Sequence, residues 1–321
     1  MQATAMADYS DWTYVAAVAV YVLAAILYLC EQAFARTSPQ EERALVGATA
    51  TPTTTPTAGV GADGAWTPGR VVEEPRLPRA ERLGRMGAAL TVLGALLHLA
   101  SLVTRGLATG RAPWGNMYEY GSMLTLAAVV TWLVLMRAFP VRKLGGIILT
   151  PVVIIMFLGG TVLYTDAAPV VPALQSYWLV IHVSVISISS GVFFVPGVAS
   201  LLYLIKAGNP ERFPKLPDGD VLDRIAYRST VFAFPLFTIG IITGAIWAEA
   251  AWGRFWGWDP KETVAFVSWV VYAAYLHARA TAGWRGRPAA WINMLGFAMT
   301  IFNLFFVNLV TTGLHSYAGV N

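Results

Sequence analysis

Residues 229–262 read STVFAFPLFTIGIITGAIWAEAAWGRFWGWDPKE. Residues 229–249 are almost wholly apolar, and about 20 such residues make a helix long enough to cross roughly 30 Å of hydrocarbon. A second apolar run follows at 263–282. Between the two lies a short segment with tryptophans at 252, 256 and 258, next to Trp247. It closes on Asp259, Pro260, Lys261 and Glu262. Asp as N-cap, Pro at the first helical position and Glu at the third predict a well-capped helix start. If the chain is helical around Trp252, then Trp252, Phe255 and Trp256 share a face. Gly253 and Gly257 would then let a flat ligand approach the backbone.

Outward from this stretch the pattern repeats. Apolar runs recur near residues 12–34, 86–105, 119–137, 144–164, 178–205, 229–249, 263–282 and 289–312. Only 12% of the 321 residues are charged and 56% are hydrophobic, against about a quarter charged in a soluble chain. The sequence therefore predicts an all-α, polytopic transmembrane helical bundle of eight spans. The first run is too long for a removable signal peptide and lacks a basic leader, so it counts as a span. A net charge of +4 in so apolar a chain orients it in a bilayer and does not imply nucleic acid. Eighteen of the 22 Lys and Arg fall in alternate connections, at 35–86, 137–143, 206–228 and 279–288. The positive-inside rule makes those connections cytoplasmic and places both termini and the tryptophan segment on the extracytoplasmic side. Arg105, Arg111, Arg254 and Lys261 are the exceptions.

Three units are expected. Residues 1–35 form an N-terminal anchor helix, 36–85 a disordered cytoplasmic linker rich in Thr, Pro, Ala and Gly, and 86–321 a seven-helix membrane domain containing the tryptophan segment 247–262. Cys30 is alone and reads as a buried structural thiol.

Ionisable residues at membrane depth tend to be functional, and the chain has only four histidines, His98, His182, His277 and His315. His182 lies about one turn into the fifth run, and His315 just past the outer end of the eighth. Both therefore sit beside the tryptophan segment. His277 is deeper, about 21 Å past Thr263 at about 1.5 Å per residue. Two imidazoles at one depth beside an aromatic platform match the needs of a haem, whose iron takes one nitrogen ligand on each side. Tryptophans at a membrane edge are otherwise interfacial anchors, which is the reading for Trp114 and Trp178. Trp247, Trp252, Trp256 and Trp258 crowd one segment, unlike a scattered belt. A lone helical histidine such as His98 is expected to be a packing residue.

The run WGRFWGWDPKETVAF resembles the tryptophan-rich WWD motif of haem-handling proteins. Together with LQSYWLVIHV, RAPWGNMYEYGSM and GLHSYAG, in that order, it resembles the CcsA (ResC) family, a subunit of the System II cytochrome c synthase. The resemblance covers about residues 90–321. It implies haem b as bound substrate, His182 and His315 as axial ligands of an outer haem, and His277 as a transmembrane haem ligand. Trp247, Trp252, Trp256, Trp258 and Asp259 would bind the haem face, with Asn116, Tyr118 and Glu119 in support. It also implies delivery of haem across a bacterial plasma membrane for attachment to the CxxCH of apocytochrome c, within a holocytochrome c synthase (haem lyase). The partners would be a CcsB (ResB) membrane subunit and a thiol-reducing protein, in contact with membrane lipid. No catalytic nucleophile or base is identified beyond the haem ligands. Two alternatives stay open, a System I haem chaperone of the CcmC or CcmF type and a transporter without haem chemistry.

Overall fold

The computed structural model describes residues 2–34, 78–170, 174–213 and 216–315. Its eight long helices are α1 (Gln2–Phe34), α2 (Arg79–Thr109), α3 (Met117–Ala138), α4 (Gly145–Thr161, entered through a 3-10 turn at Arg142–Leu144), α5 (Tyr177–Gly208), α6 (Gly219–Trp252), α7 (Pro260–Thr281) and α8 (Arg287–Phe302). A π-helical turn, Asn303–Val307, and a last turn, Asn308–Val310, extend α8.

Seven of these are long and apolar enough to cross a membrane. The eight-span expectation needs correcting at α7, which has the length, 22 residues, but not the apolarity. Its Trp269, Tyr272, Tyr275, His277 and Arg279 lower it. Packing nonetheless gives α7 the depth of a span. It runs back along α6, and its Arg279 pairs with Asp223 near the start of that helix at 2.6 Å. The two ends of the described chain lie at the same end of the bundle as the tryptophan segment. Asp11 accepts from Tyr164 at 2.6 Å and lies 3.8 Å from Arg105, near the end of α2, while His315 bonds Asp259 at the start of α7.

The N-terminal helix was expected to stand apart as an anchor. Instead it is bound into the bundle. Tyr14, Tyr21 and Tyr28, seven residues apart on α1, are all buried. On α2, Gly94 and Gly87 sit at the same spacing and face Tyr21 and Tyr28; a Cβ at Gly94 would lie 2.6 Å from the Tyr21 ring. Lipid gives little hydrophobic drive for helices to associate, so close backbone approach through small residues does the work. Charges close both ends of the pair. Arg142 bridges Glu31 and Glu81 at one end (2.6 and 2.7 Å), and Arg105 reaches Asp11 at the other. α2 starts at Arg79, so the last residues assigned to the linker are helical, while 35–77 lie outside the described residues. Cys30 is half-buried rather than buried.

His98 is fully buried between α1 and α3. Its Nε2 lies 2.8 Å from Ser122 Oγ, and Tyr14 and Tyr21 present their rings edge-on to it. That is the packing role expected of it.

Candidate haem-binding site

The chain between Trp252 and Pro260 is not helical. α6 ends at Trp252 because Gly253 takes a left-handed conformation (φ 72°) and its N–H closes on Glu249 O at 2.8 Å. The shared helical face expected of Trp252, Phe255 and Trp256 therefore does not form. Gly257 is covered by the Arg254 guanidinium and does not open the backbone to a ligand. The chain turns again at Trp258 (φ 56°) and enters α7 through the capping box read from sequence. Asp259 Oδ1 accepts from Lys261 N at 2.9 Å, and Glu262 Oε2 accepts from Asp259 N at 3.2 Å and Gly257 N at 2.9 Å.

Asp259 does more than cap. The same Oδ1 accepts from His315 Nδ1 at 3.0 Å, and Oδ2 accepts from Leu314 N at 2.8 Å. Partial burial pushes this carboxyl up, but the His315 bond and the two backbone N–H donors outweigh it and hold the pKa at about 2. It is thus a carboxylate near neutral pH. Its hold on Nδ1 leaves Nε2 as the lone-pair nitrogen of His315. His182, on the first turns of α5, is fixed the same way. Its Nδ1 donates to Gly240 O at 2.8 Å, and its ring fits only because residue 244 is glycine, where a Cβ would lie 2.6 Å away.

Both histidines line one cavity, with about 1300 Å³ of empty space counting its open mouth. Trp247 touches both. It stacks parallel to His182 (centroids 6.1 Å, 9°) and meets His315 edge-on at 5.8 Å. Trp252 backs His315 at 5.0 Å. Trp247, Phe255 and Trp256 form aromatic wall, and Phe237, Ile241, Leu124 and Leu304 continue it inward. Trp252 and Asp259 lie behind the histidine and do not line the cavity. Trp258 is 66% exposed and packs edge-on against Trp256 and Phe266.

Asn116 lines the cavity and caps α3, its Oδ1 accepting from Glu119 N at 2.9 Å. Tyr118 and Glu119 face away from it. Glu119 is fully buried and accepts from Arg105 (3.0 Å), Arg111 (2.8 Å) and Gly115 N (2.7 Å). This clamp holds the loop that supplies Trp114, Gly115 and Asn116 to the wall, so Trp114 is more than the isolated anchor expected. It also accounts for two of the four basic residues that are exceptions to the charge rule, Arg105 and Arg111. Lys261, Tyr120, Asn303 and Asn308 complete the polar part of the wall and were not foreseen. Their only sequence signal was a Lys where the charge rule expects none.

His277 lies apart from this site, exposed on the outer surface of α7 beside the small residues Ala273 and Ala274.

Comparison with known proteins follows the same lines. Residues 114–315 match the family model of the cytochrome C assembly protein. Proteins described as cytochrome c biogenesis protein CcsA are 39% identical over 238 residues in Chlamydomonas reinhardtii, covering 70% of this chain and 66% of that one, and 36% identical over 260 residues in Guillardia theta, covering 74% and 86%. The chain belongs to the CcsA family of cytochrome c biogenesis proteins. A solved structure described as cytochrome c heme lyase CcmF has the same fold, with a TM-score of 0.61 at 18% identity, covering 94% of this chain and 46% of that one. The family match runs from the Trp114 loop to His315, so in this CcsA-family chain it spans the cavity and its walls and leaves α1 and α2 outside.

Proposed function

We propose that this multi-pass membrane protein, whose role is in cytochrome c biogenesis, holds haem b as substrate in the aromatic cavity, with His182 Nε2 and His315 Nε2 as the two axial ligands. The observation that carries this reading is that each imidazole has its Nδ1 tied, one to Gly240 O and one to Asp259, and that both rings meet Trp247 in one cavity. Such ties set tautomer and ring direction before the metal arrives and raise the basicity of the free nitrogen. Trp247, Trp256 and Phe255 would cover the porphyrin plane.

What this chain contributes is positioning. Two thiols of an apocytochrome CxxCH segment add across the haem vinyl groups, and holding the porphyrin in one orientation turns a bimolecular encounter into a directed one. The tryptophan side is extracytoplasmic in this reading, in a plasma membrane, and free thiols come from a separate reducing protein. His277, exposed near the C-terminal end of α7, would ligate a second haem in transit with a histidine of a CcsB-type partner subunit, as in a System II synthase.

In cells, His182→Ala and His315→Ala should each abolish maturation of cytochrome c, and added imidazole should restore part of it by filling the vacant position. Normal maturation in both variants would contradict the assignment.

A further inference from the structure

One side chain in the cavity is not used by axial ligation or by the aromatic walls. Lys261 is the one Lys or Arg among the described residues lining it. An ammonium beside apolar walls is costly unless a counter-charge is near. The two carboxylates closest in sequence, one of them Glu262 in the wall of the same cavity, are engaged by other donors. Asp259 holds His315 and Leu314 N, and Glu262 holds the N–H groups of Gly257 and Asp259. Among the described residues no carboxylate pairs with Lys261. Its Nζ donates to the amide oxygen of Asn308 and sits 5.9 Å from the Tyr120 ring centroid.

The neighbouring helix is shaped around this contact. α8 widens into the π turn Asn303–Val307, a feature that recurs at functional sites. There Asn308 Nδ2 donates to Leu304 O at 2.6 Å and Asn303 O at 3.3 Å. With its NH2 so occupied, Asn308 can offer only Oδ1 to the lysine. Asn303 in turn donates Nδ2 to Lys261 O at 3.2 Å. Lys261 is thereby fixed at both backbone and head. Its backbone N–H shares Asp259 Oδ1 with His315, so the ammonium and one iron ligand are built on a single carboxylate.

We propose that Lys261 anchors a carboxylate side chain of the bound porphyrin, a haem propionate, and so sets which edge of the macrocycle turns inward. This rests on the haem reading above. A propionate supplies a direct counter-charge through a charge-assisted hydrogen bond, whereas an uncharged macrocycle leaves the ammonium with the Asn308 amide, the Tyr120 ring and the more distant charge of Asp259.

The test uses the purified full-length chain in detergent, titrated with haem and with haem dimethyl ester, whose propionates are methylated. The absorbance of the low-spin complex gives each affinity. The unaltered chain should prefer the free acid by about tenfold, the scale of one charge-assisted hydrogen bond. Lys261→Met and Lys261→Gln should bring the acid down to the affinity of the ester, and Lys261→Arg should keep the preference. Because each protein is its own control, a general loss of folding would lower both affinities and leave the ratio as it was. Equal affinities in the unaltered chain, or an undiminished preference in both neutral variants, would overturn the carboxylate anchor while the haem reading stands. Failure of the unaltered chain to form a low-spin complex with either compound would overturn both.

Discussion

Asp259 joins three structures through two oxygens: the start of α7, the Leu314 backbone and the His315 imidazole. Removing its charge while keeping its shape separates capping from ligand orientation. Asp259→Asn still offers an amide oxygen to Lys261 N, but it no longer supports imidazole basicity. Haem affinity should fall by about 10- to 100-fold, the usual cost of losing the hydrogen-bond partner that orients a metal-bound histidine. Spectroscopic titration reads this, and unaltered affinity would show that the contact is incidental. Glu119 makes the opposite case, a buried charge with no view of the cavity. Glu119→Ala strands the buried Arg105, which keeps only Asp11 at 3.8 Å as a counter-charge, and should cost about 3–5 kcal/mol, read as a lower unfolding temperature in detergent. The capping box at 259–262 was legible in sequence because it is a local pattern. The Asp259–His315 contact was not, because 56 residues separate its partners and nothing local links them.

At the scale of elements, α1 and α2 form one interlocked pair. A leucine in place of Gly94 must displace the Tyr21 ring, which has no room to move between packed backbones. When residues 1–35 and 78–321 are expressed as two chains, they should co-purify in detergent, and Gly94→Leu should abolish that association. Recovery of the pair from the variant would contradict the interlock. The tyrosine repeat of α1 and the glycine repeat of α2 were both present in sequence. They were missed because each helix was read by itself as a hydrophobic run, and the composition of the intervening stretch drew a boundary there. The helix count came from apolar length and holds. The conformation of residues 253–258 could not come from the tryptophan pattern, because it is decided by Gly253 leaving helical space and by Trp258 at positive φ.

Across the bundle, the cavity is assembled by α3, α5, α6, α7 and the π turn after α8, with His182 brought from the interior of the family-matched region and His315 from its last position. His277 faces outward on another surface, and the proposed function gives it a haem of its own. His277→Ala should leave haem binding by the cavity intact when haem is supplied to the purified chain. In cells it should empty the site, because filling would proceed through the partner subunit. Comparing the haem content of protein isolated from cells with that of protein reconstituted from detergent tests the distinction; equal losses in both would contradict it. Electron paramagnetic resonance of the ferric haem complex of the purified chain decides whether one iron sits between the two oriented imidazoles. The unaltered protein should give a low-spin bis-imidazole signal. His182→Ala and His315→Ala should each give high-spin haem that returns to low spin with added imidazole. A low-spin signal persisting in both single variants without imidazole would contradict the account.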